Sequence, residues 1–194
     1  MDTSTPLILK SMSPEGQDVA VRLIKEWHAS LQTQRGWRAE LRRADSPAAL
    51  LLCTGFRELA RPFRSWLAGH EWRWLGLALA AGVASHVKQI NEQNSFAAQL
   101  GKPARGSSNP PLSALRFSRL NQVHDHDELY RLLIRAVRQL DGKVNLPSMV
   151  DGILLWCREQ DEIACCAPFE RSPFQRPALR WATEYFQATE MTEE

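Results

Sequence analysis

The chain has 194 residues, 44% of them apolar, and a formal net charge of +2. That length suits one domain or two small ones sharing an interface, and the apolar share is enough for a packed core. A near-neutral balance excludes a uniformly basic surface, so any polyanion must be met by local charge.

Residues 1–12 read as a disordered or loosely docked leader. Ser13-Pro14 opens a helix to about Gln32, with Val19, Leu23, Trp27 and Leu31 at helical spacing, and Gly36 breaks it. A short helix, Trp37 to Arg43, follows. Asp45-Ser46-Pro47 restarts the chain as a helix around Ala48–Cys53. Another helix runs from Phe56 to about Ala60, where Arg61-Pro62 perturbs it. Trp72 to Val87 is a long apolar helix, and Phe96–Leu100 a short one. Its apolar run, Trp74 to Val87, is too short to span a bilayer. Gly101 to Pro111 is the clearest linker. Helices are expected beyond it at about 112–121, 126–140, 147–164 and 177–189. No segment alternates with period two, and there is no internal repeat. The expectation is an all-α chain of two small helical bundles, 14–101 and 112–190, joined by that linker.

Four cysteines, Cys53, Cys157, Cys165 and Cys166, form no C-x-x-C pair, and no secretory signal precedes them. They read as buried structural thiols in a reducing cytoplasm.

Arginine placement carries the functional signal. Of 24 basic residues, 19 are Arg. Segment 35–64 holds seven basic residues against three acids, and segment 102–138 again seven against three. Each field therefore has a local excess of four positive charges, while the remainder is acidic. On the helix near 126–140, Leu129, Leu132, Leu133, Ala136, Val137 and Leu140 define one face. Arg131, Arg135 and Arg138 stand at i, i+4 and i+7 on the opposite face. Arg116 and Arg119 form a pair on the preceding helix. Arg38 and Arg42 stand at i, i+4 with Arg43 adjacent, and Arg57, Arg61 and Arg64 repeat the longer spacing. A solvated face explains any single Arg. Like charges at i, i+4 destabilise a helix, however, and a merely soluble surface mixes signs and favours Lys with Glu. Arg binds phosphate bidentately and stacks on bases. Trp37, Trp66 and Phe63 lie near the first field as core residues or, alternatively, stacking platforms.

His124-Asp125-His126-Asp127-Glu128 is the one catalytic-looking cluster. Its alternative reading is a metal-dependent phosphohydrolase site built on His124 and His126. Two histidines two residues apart cannot share a helix face, so a helix N-terminus capped by Asp125 or Asp127 is the preferred account. No Gly-rich phosphate loop or G-x-S-x-G is present.

Three stretches carry a family resemblance. They are Ala39-Glu-Leu-Arg-Arg-Ala-Asp-Ser-Pro-Ala-Ala-Leu, then Phe56-Arg-Glu-Leu-Ala-Arg-Pro-Phe63. The third is a series running from Leu115-Arg-Phe-Ser-Arg-Leu, through Asp127-Glu-Leu-Tyr-Arg-Leu-Leu-Ile-Arg, to Val144-Asn-Leu-Pro-Ser-Met-Val-Asp-Gly-Ile-Leu-Leu-Trp156. In order and spacing the chain resembles the CasB-type small subunit of Cascade, the type I-E CRISPR effector complex. The resemblance implies an all-α, non-enzymatic protein without cofactor or metal. It implies contact with the backbone-forming and large subunits and with a second copy of itself, and no membrane. It further implies stabilisation of guide RNA paired with target DNA, and of the displaced single strand. The matching basic positions are Arg42, Arg43, Arg119, Arg135 and Arg158. Together with the helix stripes, the candidate nucleic-acid-binding set is Arg38, Arg42, Arg43, Arg61, Arg64, Arg116, Arg119, Arg131, Arg135, Arg138 and Arg158. This reading requires the two fields to converge into one track, and whether they do depends on how the bundles meet.

Overall fold

The computed structural model describes residues 7–104, 107–167 and 172–190. Residues 1–6 of the expected leader, Arg105 and Gly106 of the linker, and 168–171 and 191–194 of the tail lie outside the described residues.

The chain is mostly α-helical, as its periodicity predicts. In order come α1 (Gln17–Thr33), α2 (Arg35–Arg43), α3 (Pro47–Leu50), α4 (Thr54–Ala60), α5 (Arg64–Leu67), α6 (Glu71–Ala84) and α7 (Phe96–Gly101). After the connection come α8 (Ala114–Asn121), α9 (His126–Gln139), α10 (Leu146–Ala164) and α11 (Pro177–Glu190). Side-chain caps fix several starts: Ser46 for α3, Ser95 for α7, Asp125 for α9 and Asn145 for α10. Gly36 lies inside α2 and the break falls at Gln34, two residues before where glycine alone suggests it. Pro62 yields a 3-10 turn over Arg61–Phe63, because its ring and missing N–H disfavour a continued α-helix.

One hydrophobic core runs through both halves of the chain. Helix α6, buried from Gly76 to Ala84, is the central rod. Gly76 lets it approach α10 closely, since an added Cβ would stand 3.0 Å from Leu154 and 3.2 Å from Cys157. Helix α7 packs on α11, where Tyr185 stacks on Phe117 of α8 at 3.9 Å and donates to the Leu112 carbonyl at 2.7 Å. No helix among the described residues is long and apolar enough to cross a membrane.

Three details depart from expectation. Residues 7–12 are docked firmly. Ile8, Leu9 and Met12 are buried, and the backbone N–H groups of Leu7, Ile8 and Leu9 donate to the Asp151 carboxylate at 2.9, 2.7 and 3.1 Å. Arg180 also reaches Asp151, at 3.3 Å, and bonds Glu184 at 3.1 Å. Burying a carboxylate is tolerable only with such partners, so the network staples the N-terminal segment to α10 and α11. Second, Cys157 is buried and Cys53 half-buried, but Cys165 and Cys166 are exposed, because they lie just past the last turn of α10. Third, a two-stranded parallel pair joins β1 (Gln89–Ile90) to β2 (Lys143–Val144), with Gln89 opposite Lys143 and Ile90 opposite Val144.

Candidate nucleic-acid interface

Helix α9 forms as its pattern dictates. Leu129, Tyr130, Leu133, Ala136 and Val137 are buried, and Arg131, Arg135 and Arg138 are exposed. Its end is a Schellman motif: the Gly142 N–H donates to the Val137 carbonyl at 2.9 Å and the Asp141 N–H to that of Arg138 at 3.1 Å. Asp141 and Gly142 take φ of 53° and 75°, the left-handed conformation this cap requires. Gly142 then accepts from the backbone N–H groups of Lys88 and Gln89, at 2.8 and 3.1 Å. The β1–β2 pair thus brings the exit of α6 against the exit of α9.

Helix α2 reaches the same place from the first Arg field. Arg38 donates through Nε to the Ser85 carbonyl and through Nη2 to that of Val87, both at 2.9 Å. Its third bond, from Nη1, goes to Gln32 at 2.8 Å. Arg42 donates through Nε to the Ser85 carbonyl at 2.9 Å. These bonds satisfy carbonyls at the C-terminus of α6 and oppose its dipole. Arg38 is thereby committed to the fold. Arg42 spends one donor and keeps its Nη groups without a hydrogen-bond acceptor among the described residues.

Two clefts flank the end of α9. The first, about 560 Å³, is lined by Arg42, His86, Lys88, Arg138, Asp141 and Gly142, with three cations against one carboxylate. The second, about 320 Å³, holds Arg116, Arg119 and Arg135 over Leu112, Leu120 and Leu132, with Gln139. Arg135 and Arg138 stand one turn apart on α9, so the clefts adjoin. Burial first, and then Arg42, Arg138 and Arg38, push His86 down to about 4. Its Nε2 is buried with no hydrogen-bond partner among the described residues. Lys88 and His86 escape the sequence reading, because only the pairing of two very short strands brings them here.

The remaining candidates lie as follows. Arg43 is exposed beside Arg42 and bonds the Ala39 carbonyl of its own helix at 3.1 Å. Arg119 pairs with Glu128 at 2.8 Å in a solvent-exposed contact, a weak tie. Arg61 pairs with Glu58, and with Arg64 it borders a separate, apolar groove. Arg158 is half-buried on α10 and pairs with Glu162 at 2.8 Å. Phe63 and Trp66 are buried and Trp37 is half-buried, so the first two serve the core rather than a stacking platform.

At the His124–Glu128 string, Asp125 caps α9 by accepting from the Glu128 N–H at 2.8 Å. His126 sets its ring edge-on to Trp156, with centroids 4.9 Å apart, and burial pushes its pKa down. His124 is exposed on the loop before the cap. No cluster of three His, Cys, Asp or Glu with metal-holding geometry occurs among the described residues.

The family model for the CRISPR-associated protein Cse2 matches residues 37–186. The chain belongs to the Cse2 family. Membership makes it a small subunit of the type I-E CRISPR complex Cascade. No curated protein and no solved structure matches the chain. The Cse2 match spans both clefts and, apart from Arg35, both Arg fields, and starts inside α2.

Proposed function

We propose that this Cse2-family chain holds nucleic acid by its sugar–phosphate backbone through the paired clefts at the end of α9. In that role it steadies guide RNA paired with target DNA, and the displaced single strand, within Cascade. It acts without catalysis, cofactor or metal. Its work is done in the cytoplasm, beside the backbone-forming and large subunits and a second copy of itself. The observation that carries the reading is the meeting of Arg42, from the first field, with Lys88 and Arg138 around one cleft, adjoining Arg116, Arg119 and Arg135. Arg131 and Arg43 extend the charge on either side. The reading does not rest on Arg38, Arg61 or Arg158, whose guanidiniums are engaged within the chain.

Rigid helices set the guanidiniums in place before any ligand arrives, which lowers the ordering cost of binding. Base pairing reads sequence in an RNA-guided complex, so the protein needs only charge and shape. Phosphate contacts of this kind are sequence-independent and weaken with salt. The double change Arg135→Glu and Arg138→Glu is expected to lower target-DNA retention by the assembled complex at least about tenfold. Helix content by circular dichroism should stay unchanged, since both residues are exposed. Retention equal to the unaltered complex at physiological salt overturns the reading.

A further inference from the structure

The surface bearing Arg57, Arg61 and Arg64 differs in kind from the clefts of α9. There the three arginines border a groove of about 460 Å³ whose wall is Phe56, Ala60 and Trp74. A second groove, about 500 Å³, is floored by Trp72, Leu75 and Cys157 and also lined by the carboxylates Glu71 and Asp161. Leu51 and Trp74 line both, so the two are continuous. Trp74 is 40% exposed although most of α6 is buried, and its ring meets Phe56 edge-on at 6.3 Å. Leu52, next to Leu51, is 82% exposed, and Ile163, beside Ala164 of the second groove, 45%. An exposed Trp at the junction of two apolar grooves, with exposed Leu52 and Ile163 next in sequence to lining residues, marks a contact surface, and Trp with Arg is the composition that dominates contact energies.

The charge is polarised along this groove. Arginines stand at one end, with Arg61 partly neutralised by Glu58, and carboxylates at the other. A phosphate polymer fits this poorly, because Glu71 and Asp161 repel it. Nor does a concave face fill the same face of its own copy. We propose that the groove docks an amphipathic segment of a different protein. Apolar side chains of that segment would cover Trp74, acidic residues at one of its ends would meet Arg57 and Arg64, and basic residues at the other would meet Glu71 and Asp161. Complementary potentials of this sort set orientation and register more than affinity.

The test places p-benzoylphenylalanine at Trp74 in the assembled Cascade, followed by irradiation and mass spectrometry of the crosslinked product. The expected product is a peptide from another protein subunit, in which an apolar run is flanked by acidic residues on one side and basic residues on the other. A crosslink to nucleic acid, to a second copy of this chain or to nothing overturns the proposal, as does a peptide lacking that charge pattern. A second arm guards against a misfolded variant. The exposed pair Arg57→Glu and Arg64→Glu should cut the amount of this chain retained in the complex about tenfold, with unchanged circular dichroism. Retention at the unaltered level overturns the proposal equally.

Discussion

His86 is the residue at which stability and binding meet. Burial, reinforced by Arg42, Arg138 and Arg38, holds its pKa near 4 against the ordinary 6.5. Between those values the unfolded chain binds a proton that the folded chain refuses, so stability is fully present above about 6.5 and is lost as pH falls toward 4. His28 and His126 are pushed down by burial too, and add to the decline in the same direction. Thermal unfolding followed from pH 7 to 4.5 should therefore show a falling Tm, and His86→Asn should flatten part of that fall. An identical pH profile in the variant contradicts this account of the imidazole. Arg38 carries a different lesson. Its spacing with Arg42 reads as one exposed stripe, yet its guanidinium closes the end of α6 through the Ser85 and Val87 carbonyls. Helical periodicity tells which face a side chain leaves from, and says nothing of a distant backbone that claims it.

At the scale of the elements, the β1–β2 pair positions the first cleft. Gly142 makes it possible: its φ is 75°, and an added Cβ would stand 2.9 Å from Lys88 Cγ and 3.1 Å from the Lys88 nitrogen. Gly142→Ala should therefore lift β1 from β2, cost about 1–3 kcal/mol in urea unfolding, and weaken nucleic-acid retention by displacing Lys88. Full stability with undiminished retention contradicts that role. Helices α9 and α10 were legible in the sequence nearly to the residue, α9 because its apolar stripe is continuous and Asp125 reads as its cap, whereas the Asn145 cap of α10 came from the structure. The strands were not legible. Two residues each, joined by a pairing between distant parts of the chain, leave no period to read. The docking of residues 7–12 was hidden for the same reason, since its acceptor, Asp151, lies 143 positions from Ile8. Of the residues that line the clefts, Arg42, Arg135 and Arg138 were already candidates in the sequence, whereas Lys88 and His86 needed the fold.

For the whole molecule, one core runs through both halves of the chain, and this fixes the relation between the two Arg fields. Helix α6 packs on α10, α7 on α11, and α6 on α9, so Arg42 and Arg138 are held at one cleft by rigid packing. The opposite signs of design separate the surfaces: cations over short apolar floors beside α9, and an exposed Trp74 between arginines and carboxylates beside α6. The direct test of the central claim is the salt dependence of single-strand retention by the assembled complex. It compares the unaltered chain with Arg131→Gln, Arg135→Gln and Arg138→Gln combined. Each phosphate contact removed should lessen the slope of log affinity against log salt by about 0.7, so all three should lessen it by about 2. An unchanged slope, with the chain still folded and incorporated, would contradict a phosphate track at the end of α9.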